Sequence, residues 1–435
     1  MIRVLMLTDS LTLFSGLGRC GREIALRYNA HPDYEIIEGG WHHSGMPHNL
    51  PVQIIPIVRG HGTEPEILYQ AIQQFRPHYF LGIGDPFYFP WLGDLKKKVA
   101  DTLDDPPIHY LGWITLDGDP IQQSQLRHLL PFDRIAPMSR FAEREIRRAI
   151  LALQSKDLDV IEKPGERDRI AQEQAMSRPH VTCKTIYPGV DPQTFRFQGA
   201  AWEYKGHKYT RDSDFVTLIV DQNTSRKCVS VALEAFAQFQ ADKPDVLLYL
   251  ATDPKDPNGL DLVEMLEGFE EYPDTKGTRD KVFLRENNPV NGMSDEELSQ
   301  VYCVASALFS CTTGEGFKLP IIEAMISGCI PIMPGYSSIP ELLEGGRGIT
   351  IPTAGHLHGS HSYRKAIVSI DEAAASLEKA YELWQGRHEK DSDLMKMQQA
   401  GQRFASGLSW DKAFEAFENL MAACYRDREV ELQVI

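Results

Sequence analysis

Short apolar runs alternate with segments of helical periodicity along the first part of the chain. Each run has the length of a strand and is bounded by polar residues, Gly or Pro. The runs are residues 4–7, 34–37, 54–58, 79–83, 108–114, 135–138 and 185–187. This alternation predicts a parallel sheet that is covered by helices on both faces.

A second series of the same kind begins at Phe215. Its runs are residues 215–220, 246–250, 282–284, 305–310, 330–333 and 348–351. The chain is therefore predicted to be an α/β protein with two halves of similar architecture. Residues 195–214 are aromatic, polar and glycine-containing, which suits a connection between the halves. The remaining irregular segments are interpreted as a charged surface excursion at 156–179, an insertion at 253–278 and a mobile loop at 352–363.

The length of 435 residues also favours two domains, because one hydrophobic core rarely serves so long a chain. No run of about 18 apolar residues occurs, and the apolar start of the chain is shorter than a secretory signal. The seven cysteines are scattered without CxxC spacing, which argues against a disulfide framework and against a zinc site. We therefore expect a cytoplasmic protein without stable membrane insertion.

The formal net charge of −16 bears on the partner. It disfavours a protein whose main task is to hold nucleic acid by its phosphates, because that task needs a clustered basic surface. The basic clusters at 96–98 and on the helix that begins near Arg140 are typical of solvated helix faces. A small anionic ligand in a local cleft remains compatible with this charge.

The segment from Gly314 to Met325 carries the most informative chemistry. Its helix is well bounded, because Pro320 suits the first helical position and Gly328 suits the left-handed residue beyond the end. Glu315 then lies in the loop ahead of the helix, and Glu323 lies within the helix. A helix N-terminus favours an anion, whereas carboxylates accept hydrogen bonds from sugar hydroxyls. The pattern indicates a ligand that joins a phosphate to polyols, with a solvated loop and a core helix as the alternative.

Four further motifs accompany this segment in a fixed order. They are Ser15-Gly16-Leu17-Gly18, Met138-Ser139-Arg140-Phe141-Ala142, Ile186-Tyr187-Pro188-Gly189-Val190-Asp191-Pro192-Gln193-Thr194-Phe195 and Asp221-Gln222-Asn223-Thr224-Ser225-Arg226-Lys227. Together the five resemble the GT-B glycosyltransferases, specifically the retaining, nucleotide-sugar-dependent "glycosyl transferases group 1" typified by sucrose synthase and bacterial mannosyltransferases. The resemblance covers nearly the whole chain.

The resemblance implies two Rossmann-like domains that face a central cleft. On this basis residues 1–195 are expected to bind the acceptor, and residues 196–410 are expected to bind the nucleotide sugar. Residues 411–435 are expected to form a helix that crosses back toward the first domain. The segment 186–195, which is similar to the closing signature of the first domain, is given a structural and hinge role.

The resemblance also assigns roles to single residues. Lys227 corresponds to the family lysine that neutralises the donor diphosphate, whereas Gln222 stands where the family has arginine, so Arg226 is considered a substitute. Glu315 is expected to bind hydroxyls of the transferred sugar, and Glu323 is expected to hold the ribose. The glycine turn and the helix start complete the expected donor site with Gly16, Gly18, Gly316, Phe317, Lys318 and Leu319.

The acceptor side is less well defined. The family often has a histidine after the strand that corresponds to residues 108–114, and this chain has Asp117 there. Asp117 is expected to orient the acceptor hydroxyl or accept its proton, with the cap of a turn as an equal alternative. For Asp85, an Asp-Pro turn is the preferred interpretation. The histidine-rich segment 39–50 is expected to recognise the acceptor.

These observations predict a retaining glycosyltransferase that transfers a sugar from a nucleoside-diphosphate sugar to a hydroxyl of a saccharide, an envelope precursor or a lipid-linked precursor. Glycosylation of hydroxymethylated bases in DNA is one alternative. A sugar-nucleotide epimerase or hydrolase is another, and an inactive sugar-binding scaffold is the third. No cofactor or metal is expected, and the histidines of the 352–363 loop (His356, His358 and His361) are expected to be unbound.

Overall fold

The computed structural model describes residues 1–58, 62–103, 107–154 and 182–434. The predicted excursion at 156–179 lies outside these residues. The chain divides into two compact units. The first unit comprises Met1–Pro188, His361–Tyr363 and Trp410–Ile435, and the second comprises Gly189–Ser360 and Arg364–Ser409. This division falls at Pro188 rather than at residue 195, and it assigns a tripeptide from the second half of the sequence to the first unit.

The first unit is built on a parallel sheet of seven strands in the described residues. Its strands are β1 (Ile2–Asp9), β2 (Tyr34–Trp41), β3 (Gln53–Ile57), β4 (Tyr79–Gly84), β5 (His109–Ile114), β6 (Arg134–Pro137) and β7 (Thr182–Cys183). Its helices are α1 (Gly16–Ala30), α2 (Glu64–Phe75), α3 (Leu92–Thr102), α4 (Gln123–Leu129), α5 (Arg140–Gln154) and the C-terminal α13 (Trp410–Val434). The strand order β3-β2-β1-β4-β5-β6-β7 reverses direction between β1 and β4.

The second unit repeats this plan with six parallel strands in the order β12-β11-β10-β13-β14-β15. These strands are β10 (Phe215–Val220), β11 (Val246–Thr252), β12 (Val282–Glu286), β13 (Ala307–Phe309), β14 (Ile330–Pro334) and β15 (Ile349–Ile351). The helices are α6 (Val229–Phe239), α7 (Leu262–Gly268), α8 (Asp295–Val304), α9 (Leu319–Ile326), α10 (Ile339–Leu343), α11 (Ile370–Gln385) and α12 (Asp393–Ala405). Two Rossmann-like units confirm the predicted fold class.

The central strands are apolar throughout because helices cover both faces of each sheet. Val4, Leu5, Met6 and Leu7 of β1 are all fully buried, as are the residues of β13. Such strands read as continuous apolar runs, which explains why the sequence predicts their positions within a few residues. The run at 185–187 is the exception: Ile186 donates to the carbonyl oxygen of Pro137, but the last strand is formed three residues earlier.

Two predicted irregular segments contain regular structure. The predicted connection at 195–214 contains the antiparallel pair β8 (Trp202–Tyr204) and β9 (His207–Tyr209). The predicted mobile loop at 352–363 was wrong in part, because it contains β16 (Thr353–His358), which pairs with β17 (Arg364–Val368). The sequence gives no apolar signal there, because four of the six β16 residues are exposed.

The C-terminal helix α13 packs on the first unit. The ring of Phe414 lies 4.9 Å from that of Tyr28 in α1, and Arg27 forms a 2.8 Å ion pair with Asp411. Farther along, the Tyr79 hydroxyl donates to the carbonyl oxygen of Met421. These contacts attach α13 to α1 and β4 of the first unit.

Candidate functional site

A cluster of charged residues lies beyond the carboxyl ends of β10 and β13 in the second unit. These two strands are neighbours at the point where the strand order reverses direction. Open α/β sheets bind ligands at the carboxyl ends of strands at such a point. Asp221 directly follows β10, and Glu315 lies in the loop between β13 and α9. The position of the cluster is therefore that of a ligand site.

Glu315 is held by cations from the loop that follows β10. Its Oε1 lies 2.6 Å from Nζ of Lys227, and its Oε2 lies 3.0 Å from Nη1 of Arg226. Arg226 also donates to the carbonyl oxygen of Gly314 at 2.7 Å. The Glu315 side chain is 6% exposed and that of Arg226 is 38% exposed. The carboxylate is thus buried, whereas the guanidinium is accessible to a ligand.

Lys318 forms the deepest ion pair of the cluster. Its Nζ lies 2.6 Å and 2.9 Å from the two carboxylate oxygens of Asp221, and the two side chains are 1% and 3% exposed. Lys227 shares the same carboxylate at 3.0 Å, and the Ser310 hydroxyl donates to it at 2.6 Å. Asp221 therefore links both lysines in one buried network.

The backbone around Glu315 explains how these side chains converge. The Glu315 amide donates to the Ser337 hydroxyl, and the Ser338 hydroxyl donates to the Glu315 carbonyl oxygen, each at 2.8 Å. Lys318 adopts the left-handed conformation (φ 75°, ψ 82°) immediately before α9. A left-handed residue other than Gly costs roughly 1–2 kcal/mol, and such strain concentrates at functional sites. Pro320 is the second helical residue, one position later than predicted, and Gly328 has the predicted positive φ.

The electrostatics of the cluster favour the charged forms of Glu315 and Lys318. Burial alone would raise the pKa of Glu315, but Lys227, Arg226 and Lys318 outweigh it and hold that pKa well below the usual range. Burial would likewise lower the pKa of Lys318, but Asp221 and Glu315 raise it overall. For Lys227 burial prevails and lowers the pKa, although Asp221 and Glu315 oppose the shift.

The cluster combines charges of both signs beside a helix start. Its three cations, Arg226, Lys227 and Lys318, contact two carboxylates, Asp221 and Glu315. The N-terminus of α9 starts at the same place, at Leu319, after the predicted donor-binding residues Gly316, Phe317 and Lys318. Unpaired amides at a helix start favour an anion. The arrangement is chemically suited to a small anion.

The position at which the family has arginine is used differently here. Gln222 donates its side-chain amide to Asp256 at 3.1 Å. Arg226, the considered substitute, instead contacts Glu315. The structure therefore places a guanidinium in the cluster, on the residue beside Lys227 rather than on residue 222.

Glu323 lies in α9, as predicted, and is 3% exposed. Its Oε2 accepts a hydrogen bond from the Tyr302 hydroxyl of α8 at 3.0 Å. Tyr302 is itself fully buried. The ribose role of Glu323 stays a prediction.

The glycine turn belongs to the first unit. Ser15 caps α1, and its Oγ accepts from the Gly18 amide at 3.0 Å while donating to Asp9 at 2.8 Å. A Cβ on Gly18 would lie 2.8 Å from the Ser10 carbonyl oxygen, whereas a Cβ on Gly16 would meet nothing within 4 Å. Close packing explains Gly18, and its amide is already used by the cap.

The carboxyl edge of the first sheet gathers a second group of polar residues. Asp85 follows β4 and accepts from the Thr115 hydroxyl at 2.6 Å. Burial raises the pKa of Tyr363, and the nearby Asp85 and Asp117 raise it further. The ring of His361 stacks on Phe87 with centroids 4.1 Å apart. Sequence reasoning missed His361 and Tyr363 here, because they lie more than two hundred positions from Asp117 and no local pattern signals such contacts.

Glu38 is a further residue that sequence reasoning missed. It lies in β2, is fully buried, and accepts hydrogen bonds from the Leu11 amide at 3.1 Å and 3.3 Å. Burial raises its pKa to about 9, with a smaller contribution from Asp9, although the Leu11 amide opposes the shift. The available signal was a charged residue inside an apolar strand.

The described part of the chain contains neither a candidate metal site nor a candidate membrane span. No group of three or more His, Cys, Asp or Glu residues is arranged to hold a metal ion there. Among the helices of the described ranges, none combines the length and apolar character needed to cross a bilayer.

Neither a protein-family model nor a curated protein matches the sequence. Solved structures match it over nearly its whole length. Sucrose-phosphate synthase from Thermosynechococcus elongatus is 13% identical with a TM-score of 0.65, and the match covers 98% of this chain and 100% of that one. A Rickettsia africae glycosyltransferase is 14% identical with a TM-score of 0.63, covering 97% of each chain. Anabaena HepE, solved with UDP-glucose, is 14% identical with a TM-score of 0.62, covering 97% of this chain and 100% of that one. The chain therefore has the fold of these structures, the GT-B fold.

Proposed function

We propose that this protein is a retaining glycosyltransferase that moves a sugar from a nucleoside-diphosphate sugar to an acceptor hydroxyl. The observation that carries the proposal is the charged cluster at the reversal point of the second sheet. It combines three cations with two buried carboxylates at a helix start. A diphosphate flanked by a ribose and a sugar matches this combination, because it offers anionic oxygens and hydroxyls together. Similar structures solved with UDP-glucose, or with UDP and a sugar, support a nucleotide sugar as the donor.

The donor would enter by exchange of ion pairs. Lys227 and Arg226 now contact Glu315, and the accessible Arg226 is the natural first contact for an incoming phosphate. Once the two cations turn to the diphosphate, the Glu315 carboxylate is released to accept hydrogen bonds from the sugar. Lys318 stays with Asp221, because this pair is nearly inaccessible to solvent. Glu323 is assigned the ribose, as the family resemblance implies.

The chemical step would depend on positioning and electrostatics. The bond between the anomeric carbon and the diphosphate oxygen breaks, and the acceptor oxygen forms the new bond on the same face. The acceptor proton goes to an oxygen of the departing diphosphate. Negative charge grows on that diphosphate during the step, so fixed cations such as Lys227 stabilise the transition state more than the ground state.

The acceptor is assigned to the first unit. Asp117 and Asp85 both lie close enough to Tyr363 to act on its ionisation, at the carboxyl edge of the sheet. The stacked pair of Phe87 and His361 adds flat apolar surface at the same edge. Carboxylates with aromatic rings suit a polyol acceptor, because the ring faces cover C–H groups while the carboxylates accept from hydroxyls. Asp117 would orient the acceptor hydroxyl for this step.

A panel of UDP-, GDP- and ADP-sugars without acceptor tests the proposal. We expect one nucleotide sugar to raise the melting temperature and to release nucleotide slowly, with water as a poor acceptor. Fast, complete turnover without acceptor would instead identify a hydrolase or, if a second sugar nucleotide accumulates, an epimerase. No response to any member of the panel would contradict the proposal.

A further inference from the structure

A cavity of about 160 Å³ lies in the second unit, on one face of its sheet. Its walls come from β8 and the residue before it, from β10, β11 and β12, and from α8 with the loop that precedes it. None of its described lining residues belongs to the charged cluster. An engineered apolar cavity of roughly 150 Å³ takes up benzene, so this volume suits a single six-membered ring.

The inner wall of the cavity is apolar. Val216 of β10, Met293 of the loop before α8 and Val304 at the end of α8 are all buried. Trp202 of β8 closes one side, and its ring centroid lies 5.2 Å from that of Tyr249. A ring that enters the cavity would therefore contact aliphatic and aromatic carbon.

Tyr249 contributes a hydroxyl group to this wall. Its neighbours Leu248 and Leu250 belong to the main core of the unit, so Tyr249 lies on the opposite face of the sheet. Tyr249 is 6% exposed, and its hydroxyl has no hydrogen-bond partner among the described residues. Burial raises the pKa of Tyr249 to about 12, Arg285 opposes this rise and Glu297 adds to it. The hydroxyl therefore lies near two further residues that line the cavity.

Buried hydroxyl groups in proteins are normally paired. A hydroxyl that is buried, unpaired and next to a cavity therefore indicates a partner that enters the cavity. This observation is independent of the cavity's volume and of its apolar wall.

The rim of the cavity is polar, and the charges of its described residues offset one another. Arg285 of β12 and Glu297 of α8 lie 3.8 Å apart, and their side chains are 41% and 55% exposed. Gln300, about one helical turn beyond Glu297, is also exposed. Because an unpaired charge is costly to bury, such a rim favours a neutral ligand.

The apolar wall also distinguishes between two kinds of ring. A pyranose carries hydroxyl groups around its whole edge, and each hydroxyl that is buried without a partner costs free energy. Tyr249 provides the one hydroxyl among the described lining residues, so most of these groups would stay unpaired. An aromatic ring with a single hydroxyl group would bury only carbon elsewhere and would pair with Tyr249.

We propose that this cavity binds a small neutral aromatic compound of the phenol class. The ring would lie against Trp202, Val216 and Met293, and its hydroxyl group would pair with that of Tyr249. The site is independent of the glycosyltransferase proposal, because it shares no described residue with the charged cluster or with the polar group at the carboxyl edge of the first sheet.

The test is a titration of the full chain, followed by ligand-observed NMR, with phenol as the probe. Toluene lacks the hydroxyl group, benzoate adds a charge and glucose replaces the aromatic ring by a polyol, so these three compounds serve as comparisons. The key variant is Tyr249→Phe, which removes the unpaired hydroxyl and keeps the ring, so its melting temperature should match that of the wild type. Tyr381→Phe is the matched control, because the Tyr381 hydroxyl is bonded to Asp245 outside the cavity. Ala201→Trp fills the cavity from its exposed rim.

We expect one saturable site that prefers phenol to toluene by roughly fivefold or more, because the buried hydroxyl gains its partner. Tyr249→Phe should reduce this preference to about twofold or less while toluene still binds. Ala201→Trp should abolish binding of both compounds, and Tyr381→Phe should bind both as the wild type does. The proposal would be overturned by an absence of saturable phenol binding, by glucose or benzoate binding as tightly as phenol, by a loss of binding in Tyr381→Phe, or by unchanged phenol affinity in either Tyr249→Phe or Ala201→Trp.

Discussion

Both units bury a glutamate beside the loop that follows the first strand of the sheet, and they stabilise it in opposite ways. In the second unit Glu315 contacts Lys227 and Arg226, so its pKa lies well below the usual range and it stays charged. In the first unit Glu38 accepts from the uncharged Leu11 amide, and burial raises its pKa to about 9. At neutral pH one glutamate is therefore an anion and the other is an acid.

This difference in charge affects which ligands the carboxyl edge of each sheet can bind. A charged carboxylate that is paired with cations can exchange partners with a phosphate, because the cations can donate to phosphate oxygens in place of the carboxylate oxygens. A neutral carboxyl group has no such cation to offer, and its role is to close the loop after β1. We accordingly propose anion binding for the second unit, although both sheets have the same strand plan.

The largest effect is expected from a substitution that breaks the buried network of the second unit. Lys318→Met leaves Asp221 and Glu315 with one cation fewer, at a place where Lys318 is 1% exposed. Removal of one partner from a buried pair costs roughly 3–5 kcal/mol, measured by urea unfolding. The matched control in the first unit is Lys96→Met, whose partner Asp133 is 22% exposed, and about 1 kcal/mol or less is expected there. Equal costs for the two variants would contradict the network.

The second prediction uses the raised pKa of Glu38. Between the ordinary glutamate value and about pH 9, the unfolded chain releases this proton while the folded chain keeps it, so stability falls as pH rises. Glu38→Gln should remove that loss, and its stability relative to the wild type should increase by roughly 2–4 kcal/mol between pH 5 and pH 8. Unfolding measured at both pH values tests this. If the stability difference between Glu38→Gln and the wild type is the same at both pH values, Glu38 is ionised in the folded protein and the prediction is wrong.

The third prediction concerns the loop over Glu38. Gly18→Ala places a Cβ against the Ser10 and Leu13 carbonyl oxygens at 2.8 Å and 3.0 Å, and roughly 1–3 kcal/mol of stability should be lost. Gly16→Ala has open space around the new Cβ at the start of a helix. It should be neutral or stabilise by about 0.5 kcal/mol, because Ala favours the helix. Thermal unfolding of both variants would show the opposite order if Gly16 were the packed residue.

The smallest effect concerns which residue, Arg226 or Gln222, contributes to donor binding. Arg226→Ala should weaken binding of the donor nucleotide about tenfold, which corresponds to roughly 1.4 kcal/mol. Gln222→Ala should leave it within about twofold, because Gln222 contacts Asp256 and not the cluster. Fluorescence or calorimetric titration of both variants is sufficient. If only Gln222→Ala lost donor affinity, position 222 would contact the donor diphosphate, as the family resemblance implies for the arginine at that position.

The fold could be predicted from the sequence because central parallel strands are buried on both faces. Every main strand of the second unit falls on a predicted apolar run, and the first unit departs only at its last strand. The hairpin of β16 and β17 could not be predicted in this way, since four of the six β16 residues are exposed and β16 contains no apolar run.

The candidate site was predictable in part. Adjacent loops of a doubly wound sheet must meet at one edge, so the meeting of Lys227, Arg226 and Glu315 follows from sequence order and topology. The ion pair of Lys318 with Asp221 does not follow, because it depends on the left-handed backbone of Lys318. His361 and Tyr363 belong to the first unit although they come from a distant part of the chain, and no local sequence pattern indicates that contact.

Donor binding by the charged cluster is the central claim, and calorimetric titration of the wild type, Lys227→Met and Lys255→Met with the nucleotide sugar that the panel selects tests it most directly. Lys255 is 66% exposed in the same unit and pairs with Asp261 outside the cluster. We expect one site in the wild type, unchanged affinity in Lys255→Met and at least a tenfold loss in Lys227→Met. Equal affinity in all three proteins would contradict the account.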